Sequence, residues 1–261
     1  MKHNILIILS LVLLNANFTY CQEAEEENSV FEIKSDFMSR YIWRGSNLGG
    51  ESPSIQPTLS INFSDSTHAV SIGTWAAYNY NTTSQEVDLF LSYTFKDAIF
   101  LCFYDYYFPG NSFYTPAHHK YFNYDSETTG HVFEGTVCFL GTEKIPFSLL
   151  FAMNLYGYDS RKINEDGSSG DIFMSKYLEL GYNKTFKNID FSAFVGAALD
   201  DPDEDKGETG YYYNEKIGVI NIGVKASKSV KITDKFELPI QTSLIANPQT
   251  ESIFVVFGFS L

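Results

Sequence analysis

The segment Phe31–Arg44 alternates in side-chain character with a period of two. Its odd-numbered positions are mainly aromatic or apolar, whereas its even-numbered positions include five charges: Glu32, Lys34, Asp36, Arg40 and Arg44. Because successive side chains of a β-strand point to opposite faces of the sheet, the segment predicts a strand with one apolar and one charged face. A soluble sandwich and a membrane barrel with a charged lumen both contain such strands, so the rest of the chain has to decide between them.

Similar stretches recur along the chain, giving about twelve predicted strands in total, most of them close to the roughly 9–11 residues that a tilted membrane-spanning strand needs. The later stretches are Ser54–Phe63, His68–Tyr78, Gln85–Phe95, Ile99–Phe108, His131–Leu140, Phe147–Tyr156, Lys176–Lys184, Ile189–Ala198, Ile217–Lys228, Glu237–Ala246 and Ile253–Leu261. Aromatic residues make up 16% of the sequence, which suits strands with two different faces.

The connections between these strands alternate in length. Short ones are Ser64–Thr67, Lys96–Asp97, Gly141–Lys144, Phe186–Asn188 and Ser229–Lys235; mostly longer ones are Gly45–Pro53, Asn79–Ser84, Pro109–Gly130, Gly157–Ile172, Leu199–Lys216 and Asn247–Ser252. This alternation is typical of outer-membrane barrels. The sequence therefore predicts a closed antiparallel up-and-down transmembrane β-barrel of about 12 strands, with short periplasmic turns and long extracellular loops.

The N-terminus has the pattern of an export signal. Lys2 and His3 precede a short apolar run, Ile5–Leu14, and an acidic stretch follows Gln22. We interpret residues 1–21 as a signal peptide and residues 22–261 as the barrel, with cleavage near Cys21. A lipidated Cys21 and a buried N-terminal helix are the alternatives. Export combined with barrel-like strands predicts the outer membrane of a Gram-negative bacterium.

Charge defines the candidate site. The formal net charge of −14 argues against nucleic-acid binding, which requires basic side chains. Charged residues on the faces predicted to line the pore are Glu32, Lys34, Asp36, Arg40, Arg44, Glu86, Asp88, Glu134 and Glu179. They are expected either to select solutes or to pair and fill the lumen. Arg40 and Arg44 lie near the mouth, where they could instead anchor lipopolysaccharide or an infolded loop.

Two functional classes follow from this pattern. The first is a passive channel for small solutes; the second is a non-transporting structural or adhesion barrel that acts through its long loops. An open lumen would favour the channel, and a lumen plugged by Pro109–Gly130 would favour the second class. We predict no enzymatic activity and no cofactor, because no convincing Ser–His pair is present. The adjacent His118 and His119 do not have the spacing of a known metal site.

Cys102 and Cys138 are predicted to be near neighbours on adjacent strands. Each alternates with apolar residues, which places both on the lumen face. Cross-strand geometry leaves either a slightly strained disulfide or two free buried thiols, and we favour the thiols.

The segment Ser39–Pro57, with its Tyr-Ile-Trp-Arg-Gly stretch, resembles the first hairpin of the TorF family of porins, and Gln85–Leu89 and Asp105–Pro109 are similar to that family. The resemblance implies an outer-membrane barrel and supplies no catalytic residues. The final strand, Ile253–Leu261, resembles the terminal strand through which such barrels are recognised for insertion. Expected partners are therefore the barrel-assembly machinery, outer-membrane lipid, lipopolysaccharide and small solutes.

Overall fold

The computed structural model describes residues 30–80, 85–109 and 116–261, so the predicted signal peptide lies outside the described residues. The strands are β1 Phe31–Met38, β2 Ile42–Trp43, β3 Ser46–Asn47, β4 Ser54–Ser64, β5 His68–Asn79, β6 Gln85–Phe95, β7 Ile99–Tyr107, β8 His131–Phe139, β9 Phe147–Gly157, β10 Arg161–Ile163, β11 Ser169–Ile172, β12 Lys176–Phe186, β13 Ile189–Ala198, β14 Gly218–Thr233, β15 Phe236–Asn247 and β16 Ser252–Ser260. A short 3₁₀ helix spans Glu204–Lys206. In the described part of the chain, no helix is long and apolar enough to cross a membrane.

Twelve of these strands form a closed antiparallel barrel, in the order β1-β16-β15-β14-β13-β12-β9-β8-β7-β6-β5-β4. Each barrel strand pairs with its neighbours along the chain, and β1 pairs with β16 to close the sheet. The two remaining pairs, β2–β3 and β10–β11, are small hairpins within long loops. The predicted architecture and strand number are confirmed.

The two faces of the wall are reversed relative to a soluble protein. On β6, Leu89 and Leu91 are exposed on the outside, whereas Glu86 and Asp88 are buried on the inside. The same alternation occurs on β1, where Ile33 is 81% exposed and alternates with Glu32 and Lys34. A soluble domain buries its apolar side chains, so this outer surface has the character of one that contacts lipid.

One end of the barrel carries tight turns. Lys96 and Asp97 have φ values of 51° and 50°, and Lys187 and Asn188 have values of 48° and 58°. Two consecutive residues with positive φ form the centre of a turn whose twist matches that of antiparallel strands; the connection has three residues between Phe95 and Ile99 and two between Phe186 and Ile189. The opposite end carries the long connections, so short turns and long loops segregate as the sequence predicts.

The first strand is shorter than predicted. The sequence pattern extends it to Arg44, but β1 ends at Met38 and the chain then leaves the wall. As a result β1 and β16 are matched only over Asp36–Met38, whereas β1 and β4 are matched over eight residue pairs. Two backbone hydrogen bonds between Ser35 and Leu261 extend the contact between β1 and the end of β16 toward the short turns.

The cysteine prediction is confirmed for proximity and for face. Cys102 lies opposite Thr136, and Cys138 lies opposite Phe100, so the two cysteines are diagonal neighbours on β7 and β8. Both are buried and both are free thiols. Diagonal cross-strand neighbours are about 7–8 Å apart, which is further than a disulfide normally spans.

Candidate functional site: the outer half of the lumen

The segment that leaves the wall after Met38 folds into the lumen as a hairpin. Its two short strands, β2 and β3, are joined by Arg44 and Gly45, whose φ values are 48° and 79°. A Cβ atom on Gly45 would lie 2.0 Å from the carbonyl oxygen of Ile220 on β14, so only glycine fits this approach to the wall. The amide of Asn247 donates a hydrogen bond to the Gly45 carbonyl and holds the turn from the β15 side.

Arg44 is the tip of this hairpin, and its guanidinium forms an ion pair with Glu134 on β8. Nη1 lies 2.5 Å from Oε2 and Nη2 lies 2.8 Å from Oε1, so the guanidinium and the carboxylate form a bidentate pair. Nη1 also donates to the hydroxyl of Tyr212, at 3.0 Å. The guanidinium carbon lies 4.8 Å from the ring centre of Tyr177 and 4.5 Å from that of Trp43. Ion pairing and cation–π contacts together fix this side chain.

Glu134 is 0% exposed and fully hydrogen-bonded. Besides Arg44, it accepts hydrogen bonds from the hydroxyls of Tyr106 on β7, at 3.2 Å, and Thr136 on its own strand, at 2.6 Å. A buried carboxylate is tolerated when a cation and several donors compensate its lost hydration. Arg44, Tyr106 and Thr136 supply the compensation that this buried carboxylate requires.

An aromatic cluster covers the hairpin. Trp43 packs against Tyr106, and against Tyr211 and Tyr212 of the loop 199–217. Tyr212 is almost completely buried, and its backbone oxygen accepts a hydrogen bond from Ser46. Two loops that are far apart in sequence thus close the outer half of the lumen together.

A second carboxylate, Glu179 on β12, lies beside this cluster. Tyr177 and Asn221 both donate hydrogen bonds to it, and Asn221 also donates to the Tyr177 hydroxyl. This network positions the Tyr177 ring against the Arg44 guanidinium.

Glu86 and Asp88 form a third acidic group, on the inward face of β6. Tyr41, at the base of the infolded segment, hydrogen-bonds to Glu86 and packs on Trp75. The two carboxylates are only 5% and 4% exposed. Oε2 of Glu86 and Oδ1 of Asp88 have no hydrogen-bond partner among the described residues.

The predicted pore-lining residues divide into three sets. Glu86, Asp88, Glu134 and Glu179 lie on the inner wall around the hairpin, as described above. Glu32, Lys34 and Asp36 also face inward, but at the short-turn end, where the Glu32 and Lys34 side chains are 44% and 48% exposed. Arg40 and Arg44 are not on the wall; they lie in the infolded segment, where Arg40 donates to the Gly50 carbonyl.

The inner half of the lumen is polar and solvent-accessible. In addition to Glu32 and Lys34, exposed Asn183 and Lys225 line it from β12 and β14. The barrel therefore contains an open vestibule at the short-turn end and a closed region at the long-loop end.

The loop after β7 lies against the outer wall of the barrel. His131 lies six residues before the outward-facing Val137 on β8 and therefore on the same face. Its ring nitrogens lie 2.6 Å from Oδ1 of Asp105 and 2.6 Å from the carbonyl oxygen of Tyr121. Its ring also stacks with Tyr107 and Tyr124. The described residues 116–130 of the Pro109–Gly130 loop are thus clamped outside the lumen, and among the described residues the outer lumen is closed by residues 39–53 together with the loop 199–217.

Glu208 links two of the long loops. Its carboxylate accepts hydrogen bonds from the backbone of Ile163 and of Asp203, both at 2.8 Å. These donors hold the pKa of Glu208 below its ordinary value, because they favour the ionised form. In the described residues, no group of three or more His, Cys, Asp or Glu side chains could hold a metal ion, so His118 and His119 do not form such a cluster.

Sequence reasoning missed Tyr106, Tyr177, Tyr212 and Asn221, and also the clamp between Asp105 and His131. Tyr177 shares a strand face with Glu179, so the period-two pattern could have found it. Tyr212 lies in a loop without periodicity, and no local signal indicates that it enters the lumen.

Comparisons with known proteins add little beyond the architecture. No protein-family model and no curated protein matches the sequence. The fold is similar to a chain from a study of the in-meso crystallization of membrane proteins, with 8% identity over 88% of this chain and 81% of that chain, and a TM-score of 0.45. It is also similar to the β domain of the Bordetella autotransporter BrkA, with 10% identity over 89% of this chain and 98% of that chain, and a TM-score of 0.37.

Proposed function

We propose that this chain is an outer-membrane channel for small solutes, closed on its extracellular side by the hairpin β2–β3. The observation that carries the proposal is the division of the lumen into two halves. The inner half is charged and solvent-accessible, whereas the outer half is closed chiefly by a loop segment and not by side chains of the wall. The exposed apolar outer face supports a membrane location.

The closing segment is a small structural unit. Only two residue pairs, Ile42–Asn47 and Trp43–Ser46, form its ladder. Its contacts with the wall include those of Trp43, Arg44 and Gly45, at and next to the turn. Displacing it requires no rearrangement of the ladders between the barrel strands, because the wall strands that contact it are each paired on both sides.

The experiment is a planar-bilayer recording of three purified proteins. The wild type is expected to be closed for most of the time, with brief openings. A variant in which residues 42–47 are replaced by a short Gly-Ser linker is expected to stay open and to prefer cations, because the outer lumen wall then presents Glu86, Asp88, Glu134 and Glu179.

The matched control shortens the other loop hairpin by the same number of residues, around Gly167 in the β10–β11 turn. The tip of that turn has hydrogen bonds only within itself, so the control is expected to behave like the wild type. Absence of current from all three folded proteins would refute the channel and favour a non-transporting barrel that acts through its loops. The resemblance of Ser39–Pro57 to the TorF porins is part of the same proposal and is tested by the same recording.

A further inference from the structure

We propose that the outer half of the lumen is a binding site for small organic cations bearing a guanidinium or primary ammonium group, and that Arg44 occupies this site while the hairpin is folded in. The inference rests on the proposed channel function, because the site becomes available when the hairpin leaves.

The cage around Arg44 belongs mainly to other parts of the molecule. Glu134, Tyr106 and Tyr177 come from the wall, and Tyr212 comes from the loop 199–217. A carboxylate that meets both edges of a planar fork, with aromatic faces beside it, is the arrangement by which proteins recognise guanidinium groups. In the folded protein this site is occupied by the Arg44 guanidinium, which lies on the segment 39–53 between the wall strands β1 and β4.

Acidic side chains outnumber basic ones around the outer lumen, since the infolded segment carries only two basic side chains, Arg40 and Arg44. The four wall carboxylates are Glu86, Asp88, Glu134 and Glu179, and the Arg44 guanidinium pairs only with Glu134. Along the described residues, the other ion pairs involve other acids: Glu32, Asp105, the buried Asp200, and the exposed Asp203 and Asp234. Once the hairpin is displaced, the outer lumen would attract cations by long-range electrostatics as well as by direct contact.

The unpartnered oxygens of Glu86 and Asp88 point independently to a ligand. Both carboxylates are more than nine-tenths buried and face the lumen, yet Oε2 of Glu86 and Oδ1 of Asp88 accept no hydrogen bond from the described residues. Buried acceptors are normally satisfied, and these two oxygens are free to accept hydrogen bonds from a cationic donor that enters the lumen. Asp88 lies opposite Tyr106, which in turn donates to Glu134, so the two sites are neighbours around the wall.

The ligand class follows from these two positions. One end of the molecule would place a guanidinium between Glu134 and the tyrosine rings, and a second cationic group would donate to Glu86 and Asp88. Aromatic faces bind organic cations through cation–π contacts, so the expected ligand is a linear guanidino-amine or polyamine.

The test is isothermal titration of agmatine into the purified full-length protein in detergent. Replacing Arg44 by glutamine removes the internal competitor, and a tethered group acts at an effective concentration of about millimolar or more. Arg44→Gln is therefore expected to bind agmatine at least about tenfold more tightly than the wild type. Adding Glu134→Gln to Arg44→Gln is expected to abolish that gain.

Three controls make the result specific. Arg161→Gln alters an arginine at the same end of the barrel that bonds to the backbone of Ser126 and Gly170 outside the lumen, and it should leave agmatine binding unchanged. Butylurea, a neutral analogue of the guanidino group, should not bind. Folding of each variant is checked by heat-modifiable migration, and if Arg44→Gln does not fold, the uncharged Arg44→Met replaces it with the same expected dependence on Glu134.

Equal binding of agmatine by the wild type and the Arg44 variant, or a gain that persists in the Glu134 double variant, would overturn the inference. Titration requires no current, so the two proposals fail separately. Agmatine binding without conductance would refute only the channel, and conductance of the hairpin-replaced variant without agmatine binding would refute only the cation site.

Discussion

The clamp between Asp105 and His131 gives a prediction whose size can be worked out from the structure. The ring lies between a carboxylate and a carbonyl, so the imidazole can donate from both nitrogens, and in that form it carries a positive charge. His131 is completely buried. Replacing it by phenylalanine preserves an aromatic ring against Tyr107 and Tyr124 but removes both hydrogen bonds.

Hydrogen bonds to charged groups contribute about 1.5–3 kcal/mol each, and breaking a buried ion pair costs about 3–5 kcal/mol. We assign the clamp a contribution of about 3 kcal/mol to the free energy of loop opening. Since every 1.4 kcal/mol is one factor of ten in an equilibrium constant, His131→Phe should raise the open population of residues 116–130 about a hundredfold. The barrel ladder itself should be unaffected, because the clamp is formed by side chains on the outer face.

The assay is limited trypsinolysis, with mass spectrometry of cleavage after Lys120, which is exposed within the clamped loop. When opening is fast relative to cleavage, the rate follows the equilibrium population of the open loop. Asp105→Asn should accelerate cleavage less than His131→Phe, and the double variant should be no worse than His131→Phe alone, because both changes remove one interaction.

Glu127→Gln is the matched control, since it changes an exposed charge in the same loop away from the cleaved bond. If His131→Phe accelerated cleavage no more than Glu127→Gln, or if the effects of His131→Phe and Asp105→Asn were additive, the clamp would be refuted.

The remaining predictions concern the wall, the linked loops and the location. Phe37 faces outward and stacks on Phe259 at 4.9 Å, so Phe37→Arg should block assembly or cost about 2–4 kcal/mol, whereas the inward Asp36→Asn should assemble normally; equal loss of heat-modifiable protein would show that the faces are misassigned. The pKa of Glu208 is lowered in the folded protein, so its stabilisation is present above the unfolded pKa of about 4.3 and is lost as the pH falls through the lower folded value. Trypsin cleavage after Lys206 should therefore accelerate in the neutral-pH assay of Glu208→Gln. The protection factor of the Ile163 amide, which is the exchange rate corrected for the slower intrinsic exchange in acid, should fall on acidification in the wild type but not in this variant; an identical acid response in both would contradict the link. Finally, the protein should fractionate with outer membranes, and recovery from the soluble periplasm would refute the membrane location.

The barrel fold can be predicted from the sequence because the patterns that determine it are local. Period-two alternation assigns the two faces of a strand from that strand alone, as it does for Glu86 and Asp88 against Leu89 and Leu91. The lengths of the connections then separate the two ends of the barrel. Proximity of Cys102 and Cys138 also follows, because the strands that carry them are adjacent in an up-and-down barrel.

The closed outer lumen was decided only by the tertiary structure. Nothing local distinguishes Arg40 and Arg44 from the earlier charges on the same face, and an Arg-Gly pair is not among the favoured sequences for a tight hairpin turn. What separates them is the partner of Arg44: Glu134 lies 90 residues away, and Tyr212 lies 168 residues away. Only closure of the barrel brings these partners within reach of that guanidinium, because residues so far apart in sequence meet only when the wall and its loops surround one lumen.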